Sequence, residues 1–176
     1  MSTETGQLQY VAIDRCSRWV HLAVKDSAVA FLKEAVRAFP FTVTHLLTDR
    51  GSCFVANGFE AACRTLKVEH PTTRPYTPCT NGMVERFNGR VAREVLGITI
   101  HRHAGLEVLL QGFNRADNAR RQRVLGGLSP DAAVRRRLDA NPHLASKRFE
   151  PSSDPCVLPK ALLIVEAAKE VSHPDN

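Results

Sequence analysis

A chain of 176 residues, 43% of them apolar, suffices for one core of ordinary size with an appendage, which excludes an intrinsically disordered segment. Lys and Arg outnumber Asp and Glu by 24 to 18, and the resulting charge of +6 with a pI near 9.4 favours a polyanionic partner over a cationic one. Cys16, Cys53, Cys63, Cys79 and Cys156 form no CxxC pair and have no finger-spaced histidine, which excludes a zinc module or disulfide frame and points to reduced thiols in a cytosol. Residues 1–9 are polar and no apolar run approaches the roughly 20 residues of a membrane span, so a soluble, cytoplasmic protein is expected.

Leu8–Ile13 (LQYVAI) and Val20–Val24 (VHLAV) are β-rich runs joined by the polar turn Asp14-Arg15-Cys16-Ser17-Arg18, so the chain opens with an antiparallel pair. Ala28–Phe39 places Val29, Leu32, Val36 and Phe39 at helical spacing, and Pro40 stops it. Val43–Thr48 predicts a short strand ending at Asp49. Helical spacing follows over Phe59–Leu66, and another short strand over Val68–His70. The alternation after an opening hairpin predicts an α/β fold with parallel pairing in its second half. Pro71, Pro75 and Pro78 make the next stretch a loop.

Asn81–Leu96 predicts a helix capped by Asn81. At about 100° per residue, Val84, Phe87, Val91 and Val95 share an apolar stripe, Arg86, Arg90 and Arg93 a basic one, and Asn81, Glu85 and Asn88 a polar edge between them. A further helix is predicted over Gly105–Asn118, and Ser129-Pro130-Asp131 starts one over Ala132–Leu138. Residues 1–140 are expected to form the core, and 141–176 a proline-rich linker with a terminal helix over Ala161–Val171.

Thirty-five residues separate Asp49, at the end of a strand, from Glu85, on a helix edge. A carboxylate at the carboxyl end of a strand in an open α/β sheet stands where such folds bind ligands, and a second one facing it makes a hard-oxygen pair suited to Mg²⁺. Read alone, Asp49 is also an ordinary turn former and Glu85 an acid complementing a helix dipole.

The wording around the acids goes further. Thr48-Asp49-Arg50-Gly51-Ser52-Cys53-Phe54 and Arg74-Pro75-Tyr76-Thr77-Pro78-Cys79-Thr80-Asn81-Gly82-Met83-Val84-Glu85-Arg86-Phe87-Asn88 resemble the second and third acidic blocks of DDE transposases and retroviral integrases, at that superfamily's interval. Asp14-Arg15-Cys16-Ser17-Arg18 is similar to its second-strand motif. Asn118-Ala119-Arg120-Arg121 and Leu125-Gly126-Gly127-Leu128-Ser129-Pro130 are similar to the closing segment of bacterial insertion-sequence transposases. The resemblance covers Tyr10 to Leu138. It implies a ribonuclease-H-like mixed sheet flanked by helices, DNA as substrate and partner, self-association, and Mg²⁺ or Mn²⁺ without a small-molecule cofactor. The implied reaction is phosphodiester cleavage and strand transfer, with Asp49 and Glu85 as catalytic and metal-binding acids.

The first acid of the family's set, carried on its first strand, has no counterpart before Tyr10. The chain is therefore expected to lack that strand, and two alternatives stay open: a truncated active core, or an inactive remnant or DNA- or transposase-binding regulator. Asp14 ranks well behind the two main acids, because the family does not use that motif for metal. Absence of a middle strand would leave ladder groups unpaired on both neighbours, so either another segment fills the slot, or the sheet closes differently, or the chain is a fragment. Lys67, Arg74, Tyr76, Asn81, Arg86, Asn88, Arg90 and Arg93 form the expected DNA-facing set, since phosphate contacts need cations on one face and an aromatic ring can stack on a base.

Overall fold

A computed structural model describes residues 8–48, 51–71, 78–95, 103–146 and 162–167. The expected opening pair forms from β1 (Leu8–Asp14) and β2 (Val20–Lys25), antiparallel with Leu8 opposite Lys25 and Ile13 opposite Val20. Its polar turn is built on Asp14, whose Oδ2 accepts from the Ser17 amide at 2.8 Å and the Ser17 hydroxyl at 2.6 Å. Arg18 adopts the left-handed conformation, with φ of 62°, that closes the turn.

Helix α1 (Ala28–Ala38) starts on Ser27, whose hydroxyl accepts from the Ala30 amide, and buries Ala28, Phe31, Leu32 and Ala35 against the sheet. Strand β3 (His45–Thr48) follows, then the single turn α2 (Ser52–Val55) and α3 (Asn57–Thr65), which buries Phe59, Ala62 and Cys63. The segment predicted as a strand over Val68–His70 makes one parallel bridge, His45 to Glu69, on the outer edge of β3. Helix α4 (Pro78–Glu94) begins three residues before the expected cap, so Asn81 lies inside its first turns. Proline has a pre-set φ and no amide to lose at a helix start, so Pro78 can open the helix. Helices α5 (His103–Ala119) and α6 (Pro130–Ala140) complete the set, α6 capped by the Ser129 hydroxyl at 3.2 Å from the Ala132 amide.

The largest departure from expectation is at the carboxy-terminal end. Residues Leu162–Ala167, predicted as part of a terminal helix, form strand β4, and the sheet order is β2-β1-β4-β3. β4 runs antiparallel to β1, with Tyr10 opposite Ala167 and Asp14 opposite Leu163, and parallel to β3, with His45 opposite Leu162 and Thr48 opposite Val165. The slot between β1 and β3, expected to stand open, is thus filled by residues 162–167. Alanine, glutamate and lysine at its end favour a helix locally, but Leu-Leu-Ile-Val suits a buried strand as well, and two open ladders decide between them.

The sheet carries a core on each face. Tyr10, Ala12, Leu46 and Val165 pack with α1 and α3 on one, while Val11, Ile13 and Leu47 meet the stripes of α4 and α5 on the other. Asn118 of α5 ties that second layer to the sheet: its side chain accepts from the Val20 amide and donates to the Val20 carbonyl, both at 2.8 Å, as a strand neighbour would. Among the described residues no helix is long and apolar enough to cross a membrane.

Val165 is 2% exposed at the centre of this sheet. Val165→Asp is expected to destabilise the fold by about 3 kcal/mol or more in urea denaturation, because it buries an unpaired carboxylate. A change within about 0.5 kcal/mol, the response of a surface position, would show that β4 does not occupy the slot.

Candidate active site

Strand β3 delivers Thr48, buried, to the carboxyl end of the sheet, and Asp49 is the next residue in sequence. Asp49 itself, with Arg50, lies outside the described residues, as do Arg74 and Tyr76. The strand end is held from its outer side. The Thr48 hydroxyl is 2.8 Å from His70 Nε2, and His70 Nδ1 is 2.5 Å from Glu60 Oε1 of α3. Backbone bonds run alongside, Leu46 amide to Glu69 carbonyl at 2.8 Å and Glu69 amide to Thr44 carbonyl at 2.9 Å.

Helix α4 buries the apolar stripe that its sequence predicts. Val84, Phe87, Val91 and Val95 are buried on the sheet, while Glu85 stands exposed beside exposed Arg86. Asn88, one turn along the same edge, has its Oδ1 buried with no hydrogen-bond partner among the described residues. The side chain of Asn81 lies outside the described residues.

The basic stripe divides. Arg93 is exposed, and so is Lys67, which closes α3 in the left-handed conformation with φ of 56°. Arg90 is turned to the protein: its Nη1 donates to buried Asp117 of α5, its Nε donates to Glu94 at 3.1 Å, and its guanidinium sits 5.3 Å from the Phe113 ring centroid. Burial opposes the charge of Arg90, but the hydrogen bonds and charges of Glu94 and Asp117 outweigh it and its pKa is raised. Arg90 therefore locks α4 to α5.

Arg18, which the DNA-facing set omitted, joins the α4 surface instead. Its guanidinium donates to the Met83 sulfur, and burial, followed by repulsion from Arg86 and Arg15, lowers its pKa. Only the tertiary fold brings Arg15 and Arg18 beside Arg86, since they are about seventy residues apart in sequence. Asp14 is fully buried, holds its own turn, and lies 3.6 Å from Arg137 Nη1 of α6. That environment suits a structural acid.

A further acid enters by register. Val165 belongs to the α1–α3 core, so Glu166, the next residue of β4, occupies a position on the opposite face, where its partner Val11 packs under α4 and α5. Asp49 and Glu166 each directly follow one member of the paired positions Thr48 and Val165. A search by sequence motif misses Glu166 because its partners are over a hundred residues away. The described residues contain no group of three or more His, Cys, Asp or Glu gathered to hold a metal ion.

The Integrase core domain model matches residues 5–78, fewer than half of the chain and ending before Glu85. The crystal structure of the catalytic core domain of BIV integrase superposes with a TM-score of 0.55 at 26% identity, covering 71% of this chain and 83% of that one. The fold is that of an integrase catalytic core. Two Gag-Pro-Pol polyproteins are similar over shorter stretches: that of Human T-cell leukemia virus 2 is 40% identical over 45 residues, 26% of this chain, and that of Human T-cell leukemia virus 3 (strain 2026ND) is 40% identical over 42 residues, 24% of it. The match spans 3% of the length of either polyprotein. Together these matches support a core of the DNA integrase and transposase type.

Arg90→Met is expected to cost about 2 kcal/mol in chemical denaturation, since Asp117 is left buried and unpaired. A response within about 0.5 kcal/mol, as for an isolated surface cation, would remove the α4–α5 lock.

Proposed function

We propose that this chain is the catalytic core of a DNA transposase of the bacterial insertion-sequence type, cleaving phosphodiesters and transferring strands with Mg²⁺ or Mn²⁺. The observation that carries the reading is the placement of α4: its apolar stripe is buried on the sheet and Glu85 is left exposed, within an integrase-type core whose β3 leads directly into Asp49. The closing motifs at Asn118–Arg121 and Leu125–Pro130 favour the transposase branch.

The donor set fits the metal by its chemistry. Asp49, Glu85 and, by its register on β4, Glu166 are all carboxylates, which suit a hard cation and not a thiophilic one. Glu166 is assigned as the third carboxylate of the set by its register beside Val11 and β3. When bound, the metal ion supplies Lewis-acid stabilisation of the attacking and leaving oxygens of an in-line displacement at phosphorus. The protein's own part is to hold those carboxylates in fixed relation. Arg86 and Arg93, with Arg15, Arg18 and Lys67, supply cations for the DNA backbone, while Arg74, Tyr76, Asn81 and Asn88 remain proposed neighbours of the strand.

With Mg²⁺ and a DNA substrate bearing the element's ends, Asp49→Asn and Glu85→Gln are expected each to lower strand cleavage by about a hundredfold or more, and Glu166→Gln to lower it likewise. Normal cleavage by Glu85→Gln would sink the assignment, and normal cleavage by Glu166→Gln alone would take Glu166 out of the set. DNA affinity is expected to fall steeply with salt, and Arg86→Ala or Arg93→Ala to reduce the slope of log K against log salt by about 1 each. Binding that is insensitive to salt would remove the basic-face assignment.

A further inference from the structure

A buried, doubly hydrogen-bonded histidine stands behind the end of β3. His70 has a side chain only 3% exposed, and both of its ring nitrogens are engaged, Nδ1 to Glu60 at 2.5 Å and Nε2 to Thr48 at 2.8 Å. Its ring also stands edge-on to Phe59, with centroids 5.3 Å apart. A histidine gripped on both nitrogens and packed on a ring has little rotational freedom, so it transmits position from one partner to the other.

The three residues sit at telling places. Glu60 is in the first turn of α3, anchored through buried Phe59 to the core. Thr48 is the last residue of β3, immediately before Asp49, and His70 immediately precedes Pro71, where the loop toward α4 begins. One hydrogen-bond chain thus joins helix α3, the strand end that leads into the first proposed acid, and the start of the segment that leads to the second.

We propose that the Glu60–His70–Thr48 chain is a positioning device for the metal site, with His70 and Thr48 as positioning residues. The inference rests on the metal-binding role of Asp49. His70 joins the two, with Nδ1 hydrogen-bonded to Glu60 and Nε2 to the Thr48 hydroxyl. That holds the side chain of Thr48 against rotation, at the residue that directly precedes Asp49 in sequence. Groups one step removed from a metal's ligands act on affinity by orienting those ligands.

The test uses the full chain and Mn²⁺ alone as probe, with binding followed by the electron paramagnetic resonance signal of the free ion and folding by thermal melting. Thr48→Val keeps the shape and removes the hydroxyl, whereas Thr48→Ser keeps the hydroxyl. Thr48→Val and His70→Phe are expected to weaken Mn²⁺ binding about tenfold or more with the melting transition retained, Thr48→Ser to bind as the parent does, and the double variant Thr48→Val/His70→Phe to lose no more than either single one. Wild-type affinity in Thr48→Val, or loss of its folded state while Thr48→Ser folds normally, would overturn the proposal by making the chain purely structural. If Asp49→Asn also binds Mn²⁺ normally, the metal-site reading itself falls, and the proposal with it.

Discussion

The middle of a β-sheet must be occupied, and the rest of this molecule depends on how that demand is met. β1 and β3 each present a row of amides and carbonyls toward the space between them, and leaving both rows unpaired in an apolar setting would cost more than the fold can bear. β4 satisfies both, antiparallel on one side and parallel on the other. Its arrival also extends the core, because Val165 joins the α1–α3 layer. Loop closure over the length of the chain is the entropic cost of recruiting this segment, and that cost grows only slowly with length.

On that platform α4 organises the chemistry. A helix that must bury one stripe cannot turn, so once Val84, Phe87 and Val91 dock, the directions of Glu85 and Arg86 are settled. Arg90 shows how the same docking redistributes charge. Its place on the basic stripe is correct by angle, yet the neighbouring helix offers it Asp117, and a partly buried cation takes the nearest buried anion. Arg15 and Arg18 supply positive charge at the other end of the helix, brought there by the β1–β2 turn.

Much of this was legible beforehand for a simple physical reason: periodicity and caps are local. The hairpin strands, α1, α3, α5, the Ser129 start of α6 and the apolar stripe of α4 follow from residue spacings within a few turns. Asn81 was misread as a cap because Pro78 can open a helix earlier, and the start of a helix is a competition between near neighbours. The polar residues of the motif Asp14-Arg15-Cys16-Ser17-Arg18 were visible, but the burial of Asp14 near Arg137 and the contact of Arg18 with Met83 depend on partners more than sixty residues away. The Glu60–His70–Thr48 chain was invisible although its members are only 10 and 22 residues apart, because no local periodicity links them and only the fold brings their side chains together.

By itself the sequence determined the local elements, the interval between Asp49 and Glu85, and the resemblance that ties them to one fold, because each is carried by neighbouring residues or by a linear motif. Tertiary structure alone decided that 162–167 is a strand, that Glu166 falls in register with Val11, and that Arg90 faces inward. Each of these depends on pairing or packing with residues remote in the chain, and a six-residue segment has no preference of its own strong enough to resist two open ladders.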